Sequence, residues 1–428
     1  MQAKASKRPN FVFILADDLG YADLGCYGGR SAQLLGGSCS PHIDRLAAEG
    51  LCFTDGWDEP ISGAVRLDPT GSPMIGLPPE HPTMASLLRD AGYASALVGK
   101  WHLGYAPHFG PLKSGYEEFF GAMSGGLDYF THCDTSGVHD LWDGETEVHR
   151  IGYLTDLISQ RAVDYVSRQR GSPKPFLLSV HYTAPHWPWE TRADESEAKF
   201  LASAREHIGH ISGGSVNSYL AMIHHMDEGI GSILETLKSI GADENTLVVF
   251  TSDNGGERFS DVWPLTGKKM DLLEGGIRVP YVVRWPARVA PGGATRQLAM
   301  TMDWLPTFLD AAGVAPHPEY ALDGVSLLKV LEQPEATFER ELFWRMNHRS
   351  QRAMRAGSWK YLSTEDGEFL YDLERDARER ANRAGREPER LATMRARYAE
   401  WEKTVPGVPE GAKVSLITNK GNMATPTP

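Results

Sequence analysis

The sequence predicts an α/β fold in which helices sandwich a large mixed, mostly parallel sheet, with a small C-terminal α+β subdomain. Short apolar runs such as FVFILA at 11–16 are typical of strands that are buried on both faces of a sheet. These runs alternate with amphipathic helical segments, as they do in doubly wound α/β proteins. After about residue 335 the pattern changes to ELFWRM, QRAMRAGSWKYLS and EFLYDL, which indicate a small antiparallel sheet.

The elements of the main sheet follow one another in a regular order. The predicted strands are 10–16, the start of ASALVGKWHLG, 175–180 and 246–250. The predicted helices are 40–48, 82–91, 152–169 and 215–240. Ser40-Pro41 opens the first and Pro82 the second, with cap residues and first-position prolines where they are expected. Each predicted strand ends in polar residues. Ligands bind at such strand ends in open α/β sheets, so we expect a functional site there.

The length of 428 residues predicts one large domain with a smaller appendage. We place the main domain at 8–334 and the C-terminal subdomain at 335–428. Within the subdomain we expect a helix over 388–405 after the antiparallel sheet. The last eight residues, GNMATPTP, are typical of a frayed tail.

Composition excludes several classes of protein. The net charge of −13 argues against nucleic-acid binding, and the longest apolar runs are too short to cross a membrane. The start MQAKASK lacks the apolar stretch of a secretory signal, so we predict a cytoplasmic protein, or a periplasmic or secreted one whose signal has been removed. The four cysteines show no C-x-x-C spacing, which argues against a thiolate zinc site and leaves disulfides open: Cys26, Cys39, Cys52 and Cys133.

Two strand ends carry hard oxygen donors. Asp17 and Asp18 follow the first strand, and Asp253 and Asn254 follow the strand at 246–250. Carboxylate and amide oxygens without histidine or cysteine suit Ca²⁺, or less well Mg²⁺. Taken singly, DDLG and DNGG are also ordinary turn or cap signals.

Cationic side chains follow the other strand ends. Lys100 and His102 are two residues apart, so an extended segment would point both to the same side. His186 lies in the proline-restricted APHWP, and Lys269 follows PLTGK. Each of these residues alone could be a solvated charge or a packed histidine. Around one pocket with a divalent cation, they would bind an oxyanion ester.

The acidic residues that follow APHWP are expected to be solvated: Glu190, Asp194 and Glu195. The two aromatic residues beside them, Trp187 and Trp189, either line a substrate cleft or only cover the loop.

These residues resemble the sulfatase family of the alkaline phosphatase superfamily, including arylsulfatases and N-acetylgalactosamine-6-sulfatases. The likeness runs along nearly the whole chain. It is carried, in the family's order, by RPNFVFILADDLGYADLGCYGG, SPHIDRLAAEGLCFT, GYASALVGKWHLG, HYTAPHWPW, TSDNGGERFSD, WPLTGKKMDLLEGGIRVP and LYDLERDARERAN. The resemblance implies an alkaline phosphatase-like fold, with 8–334 as the catalytic domain, and hydrolysis of an aryl or carbohydrate sulfate ester.

The resemblance also implies a role for each site residue. The metal, normally Ca²⁺, would be held by Asp17, Asp18, Asp253 and Asn254 together with the nucleophile Ser62. The sulfate ester would be contacted by Lys100, His186 and Lys269, with His102 beside the nucleophile. Lys269 is the match because it stands five residues before Glu274 of EGG. His186 is also the candidate proton donor to the leaving alcohol.

The nucleophile motif departs from the family's pattern. Family members carry Cys-x-Pro-x-Arg, or a serine version, in which the first residue is oxidised to formylglycine by a maturation enzyme. Here Ser62 and Arg66 have the right spacing, but Ala64 replaces the proline and Asp68-Pro69 interrupts the helical turn expected there. The segment that follows is also shorter than is usual in the family.

Three hypotheses follow from this motif. The first is a sulfuric ester hydrolase in which Ser62 becomes formylglycine. The second is a phosphate or phosphonate ester hydrolase that uses unmodified Ser62, because a phosphoserine intermediate is cleared by metal-activated water whereas a serine sulfate would stall. The third is an inactive protein of the same fold that binds sulfated glycans.

Overall fold

The computed structural model describes residues 8–58, 76–134, 137–203 and 213–407. Sixteen strands run through these residues: β1 Asn10–Ala16, β2 Leu51–Phe53, β3 Gly56–Trp57, β4 Ala94–Gly99, β5 Glu118–Gly121, β6 Trp142–Asp143, β7 Thr146–Glu147, β8 Phe176–His181, β9 Thr246–Ser252, β10 Tyr281–Arg284, β11 Gly293–Thr295, β12 Ala299–Met300, β13 Glu341–Met346, β14 Gln351–Ala356, β15 Trp359–Thr364 and β16 Gly367–Asp372. The α-helices in the same ranges are α1 Ser31–Leu35, α2 Pro41–Ala48, α3 Met84–Asp90, α4 Leu154–Arg168, α5 Glu195–Ser203, α6 Val216–Ser239, α7 Glu274–Ile277, α8 Trp304–Ala312, α9 Leu328–Glu332 and α10 Pro388–Glu402. None of these helices has both the length and the apolar character needed to cross a bilayer.

A ten-stranded mixed sheet forms the centre of the molecule, with the strand order β11, β2, β10, β9, β1, β8, β4, β5, β6 and β7. Its middle strands, β9, β1, β8, β4 and β5, are mutually parallel. Antiparallel pairs join β10 to β9 and β6 to β5, so the sheet becomes mixed toward its edges. The four predicted strands are β9, β1, β8 and β4, which are neighbours in this parallel set.

The sheet is buried on both faces because alternate residues of each strand point to opposite sides. On β1, Val12 and Ile14 pack into a cluster with residues of α2, α4 and α6. Phe11 and Phe13 pack into the opposite cluster with residues of α3, α8 and α9, where Phe11 stacks on Phe308 at 4.4 Å between ring centroids. The predicted sandwich of helices around a mostly parallel sheet is therefore confirmed.

The C-terminal strands form the predicted small antiparallel sheet, in the order β13, β14, β15 and β16. Met354 and Tyr361 on one face pack against Met394 and Tyr398 of α10. The other face, which includes Trp344, packs against Trp57 of β3, Met300 of β12 and Ile277 of α7. The α+β character of this region is confirmed, while the boundary at 334/335 stays a prediction.

Local details differ from the sequence-based expectations. The helix predicted from Pro82 begins later, because the Thr83 hydroxyl accepts a hydrogen bond from the Ser86 amide and so caps α3. The four cysteines all lie in the described part of the chain and are free thiols. Cys39 is buried, whereas Cys26 is exposed.

Candidate active site

Four adjacent parallel strands deliver the predicted site residues to one edge of the sheet. Asp17 and Asp18 follow β1, and the segment after β9 contributes Asp253 and Asn254. Lys100 follows β4, and the loop after β8 carries His186. Because β9, β1, β8 and β4 are neighbours with the same direction, their carboxyl ends meet.

Hydrogen bonds join the two acidic strand ends. The Asp18 amide donates to Asp253 Oδ1 at 3.0 Å, and Asn254 Nδ2 donates to Asp18 Oδ1 at 2.8 Å. Asp18 has a φ of 65°, in the left-handed region that aspartate tolerates better than most residues. This conformation turns the chain sharply after β1. Asp17 and Asp18 are both almost fully buried.

Two lysines neutralise part of this buried charge. Lys100 Nζ lies 2.7 Å from Asp17 Oδ2, and Lys269 Nζ lies 2.6 Å from Asp18 Oδ1. Lys269 reaches the site from the loop between β9 and α7, where its amide donates to the Gly256 carbonyl at 3.0 Å. The adjacent carboxylates raise the pKa of Lys269 above its usual value in spite of burial. The contact with Asp18 therefore favours the charged form of Lys269.

The oxygen donors fit a divalent cation. Three of their atoms are buried without a hydrogen-bond partner among the described residues: Asp17 Oδ1, Asp18 Oδ2 and Asn254 Oδ1. Burial and the charges of Asp17 and Asp18 raise the pKa of Asp253 to about 8. Burial opposes ionisation of Asp18 as well, but Lys269 lowers its pKa to about 2. Hard oxygens with unfilled lone pairs and crowded carboxylates are what Ca²⁺ would stabilise.

His186 faces the same carboxylates as a neutral ring. Its Nδ1 lies 2.6 Å from the Trp187 carbonyl, which can only accept, so Nδ1 carries the proton. Nε2 is then an acceptor, and it lies 3.7 Å from Asp18 Oδ2. Burial lowers the pKa of His186 to about 3. Its Nε2 therefore points into the site without a hydrogen.

His102 stands at the mouth of the site, but the expected extended segment is wrong. β4 ends at Gly99, and His102 has a φ of 60°, so the chain turns there. The residue is exposed on its outer side, while desolvation of its inner side and the charges of Lys100 and Lys269 lower its pKa to about 3. Its ring lies against Gly125, where an added Cβ would come within 2.4 Å of Cε1 and Nε2.

The predicted nucleophile and its arginine, Ser62 and Arg66, lie outside the described residues, as does the shortened segment after them. Trp57 and Asp58, just before that segment, are buried. The Asp58 amide donates to the Ile277 carbonyl at 2.9 Å.

The expectation that Glu190 is solvated is wrong. Its Oε2 accepts a hydrogen bond from the Tyr129 amide at 3.2 Å, and burial beside Asp128 raises its pKa to about 9. Tyr129 in turn donates its hydroxyl proton to the Thr183 and His186 carbonyls. Glu190 is thus part of the support behind His186, a role that a loop position in the sequence does not reveal.

The two tryptophans near Glu190, which were expected either to line a substrate cleft or to cover the loop, differ from each other. Trp189 is buried, packs on Phe259 and covers the loop. Trp187 is only partly buried and packs against the His186 ring at 4.7 Å.

Sequence reasoning missed Glu257. Its Oε2 is buried and has no hydrogen-bond partner among the described residues. Burial first, and then the charge of Asp18, raise its pKa. Its place directly after DNGG was the available signal.

The chain matches known sequences over most of its length. The family model described as sulfatase matches residues 9–314, and the model described as N-sulphoglucosamine sulphohydrolase, C-terminal, matches residues 267–396. N-acetylgalactosamine-6-sulfatase from Canis lupus familiaris is 30% identical over 383 residues, which cover 80% of this chain and 69% of that protein. Human arylsulfatase A is 29% identical over 472 residues, which cover 91% and 87% of the two chains.

A solved structure shows the same fold. The crystal structure of Ps i-CgsB in complex with k-i-k-neocarrahexaose superposes with a TM-score of 0.78 at 29% identity, covering 92% of each chain. A structure in complex with D-glucosamine-2-N,6-O-disulfate has a TM-score of 0.70 at 22% identity, which indicates the fold alone.

Proposed function

This chain belongs to the sulfatase family and is a sulfuric ester hydrolase, and we propose that it cleaves a carbohydrate sulfate at a Ca²⁺ site with Ser62 as the precursor of formylglycine. The observation that supports the site most directly is that three carboxylate and amide oxygens, which have no hydrogen-bond partner in the described part of the chain, meet Lys100, Lys269 and His186 at one sheet edge. Each component alone has an ordinary structural explanation. Their convergence from four strand ends does not.

The charge of the site suits a sulfate ester once a divalent cation is present. With all groups ionised, the carboxylates of Asp17, Asp18 and Asp253 exceed the two ammonium groups by one negative charge. A sulfate monoester would be repelled by that balance. A Ca²⁺ ion held by these three residues and Asn254 reverses it to one positive charge, which attracts the singly charged ester.

We assign sulfate binding to Lys100 and Lys269. Both ammonium groups are held next to the carboxylates that would hold the metal, at 2.7 Å and 2.6 Å. Donors fixed in this way need no reorganisation when charge develops on the sulfate oxygens. We place His102, at the mouth, beside the nucleophile.

We assign His186 to proton transfer toward the leaving alcohol. Its neutral ring presents a bare Nε2, so it must first take up a proton to act as an acid. A bound sulfate favours the protonated ring, because a nearby negative charge raises the pKa of an imidazole. The proton on Nε2 then passes to the ester oxygen as that oxygen leaves.

Ser62 and Arg66 complete the proposal. Oxidised to formylglycine and hydrated, residue 62 would supply a geminal diol as the nucleophile and a further oxygen for the metal. This requires a formylglycine-generating enzyme that accepts serine. The assignment is supported by the spacing between Ser62 and Arg66 and by their position shortly after FTDGW.

A carbohydrate sulfate is the substrate class that the relatives favour. The relatives include an N-acetylgalactosamine-6-sulfatase, and the structural match at 29% identity was solved with neocarrahexaose. The partly accessible Trp187 beside His186 offers an aromatic surface for a sugar ring.

Two measurements test the proposal. Mass analysis of the peptide that spans Ser62, from the native host, should show the loss of about two hydrogens that accompanies aldehyde formation. The matured protein should then hydrolyse sulfated oligosaccharides, and a Ca²⁺ chelator should abolish that activity.

The controls separate the alternatives. Plain serine in fully active protein would refute the formylglycine assignment, and faster turnover of aryl phosphate than aryl sulfate would favour a phosphate ester hydrolase. A protein that binds sulfated oligosaccharides equally well as wild type and as Ser62→Ala, without turnover of either ester, would be a binding protein.

A further inference from the structure

A second group of side chains that could bind a metal lies outside the active site, beside the β6–β7 hairpin. Glu147 Oε1 is 2.9 Å from His139 Nδ1 and 4.0 Å from His149 Nε2. The two imidazole rings lie 4.1 Å apart between centroids. One ligand atom from each of the three residues falls within 4.8 Å of the others.

From this geometry we propose that His139, Glu147 and His149 form a Zn²⁺ site, with water in the fourth position. Two imidazoles and one carboxylate are ligands that zinc binds readily, whereas Ca²⁺ and Mg²⁺ prefer oxygen alone. The site therefore differs in its chemistry from the aspartate site at the sheet edge. Its three ligands take no direct part in the sulfate hydrolysis described above.

The distances suit zinc after small side-chain movements. Tetrahedral bonds of about 2.0–2.1 Å place ligand atoms about 3.3–3.5 Å apart. His139 Nδ1 and Glu147 Oε1 share a hydrogen bond, so zinc would replace its proton and they would separate by about 0.5 Å, while His149 Nε2 would approach Glu147 Oε1 by about 0.6 Å. The side chain of His149 is 80% exposed, so a rotamer adjustment meets little resistance.

The backbone holds two of the ligands in place before metal arrives. Glu147 lies on β7, which pairs with β6, and the following Val148 amide donates to the Leu141 carbonyl at 2.8 Å. His139 pairs with Cys133 in an antiparallel bridge, and the Asp140 amide donates to the His132 carbonyl at 2.8 Å. Such preorganisation reduces the entropy lost on binding.

A third imidazole stands behind these ligands. The His132 ring lies 6.4 Å from the His139 ring, and its Nε2 is 3.1 Å from the Gly152 carbonyl. Since that carbonyl only accepts, Nδ1 of His132 bears a lone pair, and it is buried without a partner among the described residues. The region thus holds three imidazoles, a ligand type that zinc binds readily.

Zinc at this position would brace a loop that reaches the active site. Asp140, next to His139, accepts hydrogen bonds from the Met123 and Ser124 amides at 3.2 Å and 2.7 Å. The two glycines that follow Ser124 pack against His102 and His186. A cross-link between His139 and the hairpin therefore restrains the chain that supports both histidines.

Titration of Zn²⁺ into full-length protein saturated with Ca²⁺ tests the site. We expect one equivalent to bind by calorimetry, a rise in Tm, and visible d–d absorption typical of nitrogen and oxygen ligands when Co²⁺ replaces Zn²⁺. His149→Ala should weaken Zn²⁺ binding at least about 10-fold and remove the rise in Tm. Glu147→Gln, which keeps the shape of the side chain, should weaken binding similarly.

His224→Ala is the matched control, because the His224 side chain is partly exposed and lies 3.7 Å from a glutamate, Glu228. It should bind Zn²⁺ as the wild type does. The proposal is overturned if wild type binds no stoichiometric Zn²⁺, or if His149→Ala binds it with unchanged affinity. His149 is so exposed that its replacement leaves folding intact, and the Tm without metal checks this.

Discussion

Asp18 is the residue on which the contacts of the active site converge. One of its carboxylate oxygens contacts Lys269 and Asn254, and the other lies near His186. Its amide binds Asp253. A single side chain therefore links the metal ligands, a sulfate-binding lysine and the proposed acid, so changes at its neighbours report on separate functions.

Asp253→Asn should weaken Ca²⁺ binding, because it removes one charge from the ligand set and leaves an amide oxygen in the same place. We expect Ca²⁺ affinity to fall by at least about 10–100-fold, which is the range for removal of a residue that only hydrogen-bonds to a metal ligand. Calorimetric titration of the metal-free protein measures it, with the exposed Asp310→Asn as control. Unchanged Ca²⁺ affinity would exclude Asp253 as a ligand.

His186→Gln should affect poor leaving groups most, because glutamine can form a hydrogen bond but cannot deliver a proton. For alkyl or sugar sulfates we expect kcat/KM to fall about 10²–10⁴-fold. For an aryl sulfate with an acidic phenol the fall should be much smaller. The ratio of the two kcat/KM values in matured protein is the measurement, and an equal loss for both would assign His186 to binding instead.

At the scale of elements, the loop over 122–134 shapes the mouth of the active site. An added Cβ at Gly125 would come within 2.4 Å of the His102 ring, and one at Gly126 within 3.2 Å of the His186 ring. The loop thus sets the position of both histidines although neither belongs to it. Glycine has no reactive side chain, so the sequence did not mark Gly125 and Gly126 as neighbours of the site.

Gly125→Ala should therefore displace His102. We expect kcat/KM to fall on the order of 10²-fold, as a misplacement of about 1 Å can produce, while the free energy of unfolding changes little. Gly37→Ala is the control, since nothing lies within 4 Å of the added Cβ. Steady-state kinetics and urea unfolding of both variants provide the comparison. Full activity of Gly125→Ala would mean that the loop moves to accommodate the added methyl group without displacing His102.

Elements with a strong local pattern were predictable, and those defined by distant partners were not. The apolar run of β1 and the amphipathic α6 are encoded in their own residues. The edge pair β6 and β7 has two residues per strand and no apolar alternation, so its pairing depends on the neighbouring β5. The turn at His102 likewise depends on the glycine loop packed against it.

At the scale of the whole molecule, a buried ionic contact joins the C-terminal sheet to the main domain. Lys360 on β15 is fully buried, with Nζ 2.9 Å from Glu274 and 2.8 Å from Glu379. Glu274 belongs to α7, which follows the loop that carries Lys269. The C-terminal subdomain therefore supports the active site from outside it.

Lys360→Met should destabilise the protein by about 3–5 kcal/mol, because it removes the nearest cation from two buried carboxylates and leaves Glu274 only its longer ion pairs with Arg278 and Arg355. The matched control is Lys403→Met, whose exposed pair with Glu400 should contribute less than about 1 kcal/mol. Urea unfolding measures both. Similar losses for the two variants would show that the buried contact is not a stabilising link.

The sequence by itself determined the mostly parallel sheet, the small C-terminal sheet and the identities of the strand-end donors, because apolar runs and the polar residues that end them are local patterns. Only the tertiary structure decided that Lys100 pairs with Asp17, that Lys269 pairs with Asp18, and that the partly buried Glu190 supports the loop behind His186. These contacts join residues far apart in the chain, so their geometry follows from strand order and packing rather than from any local pattern.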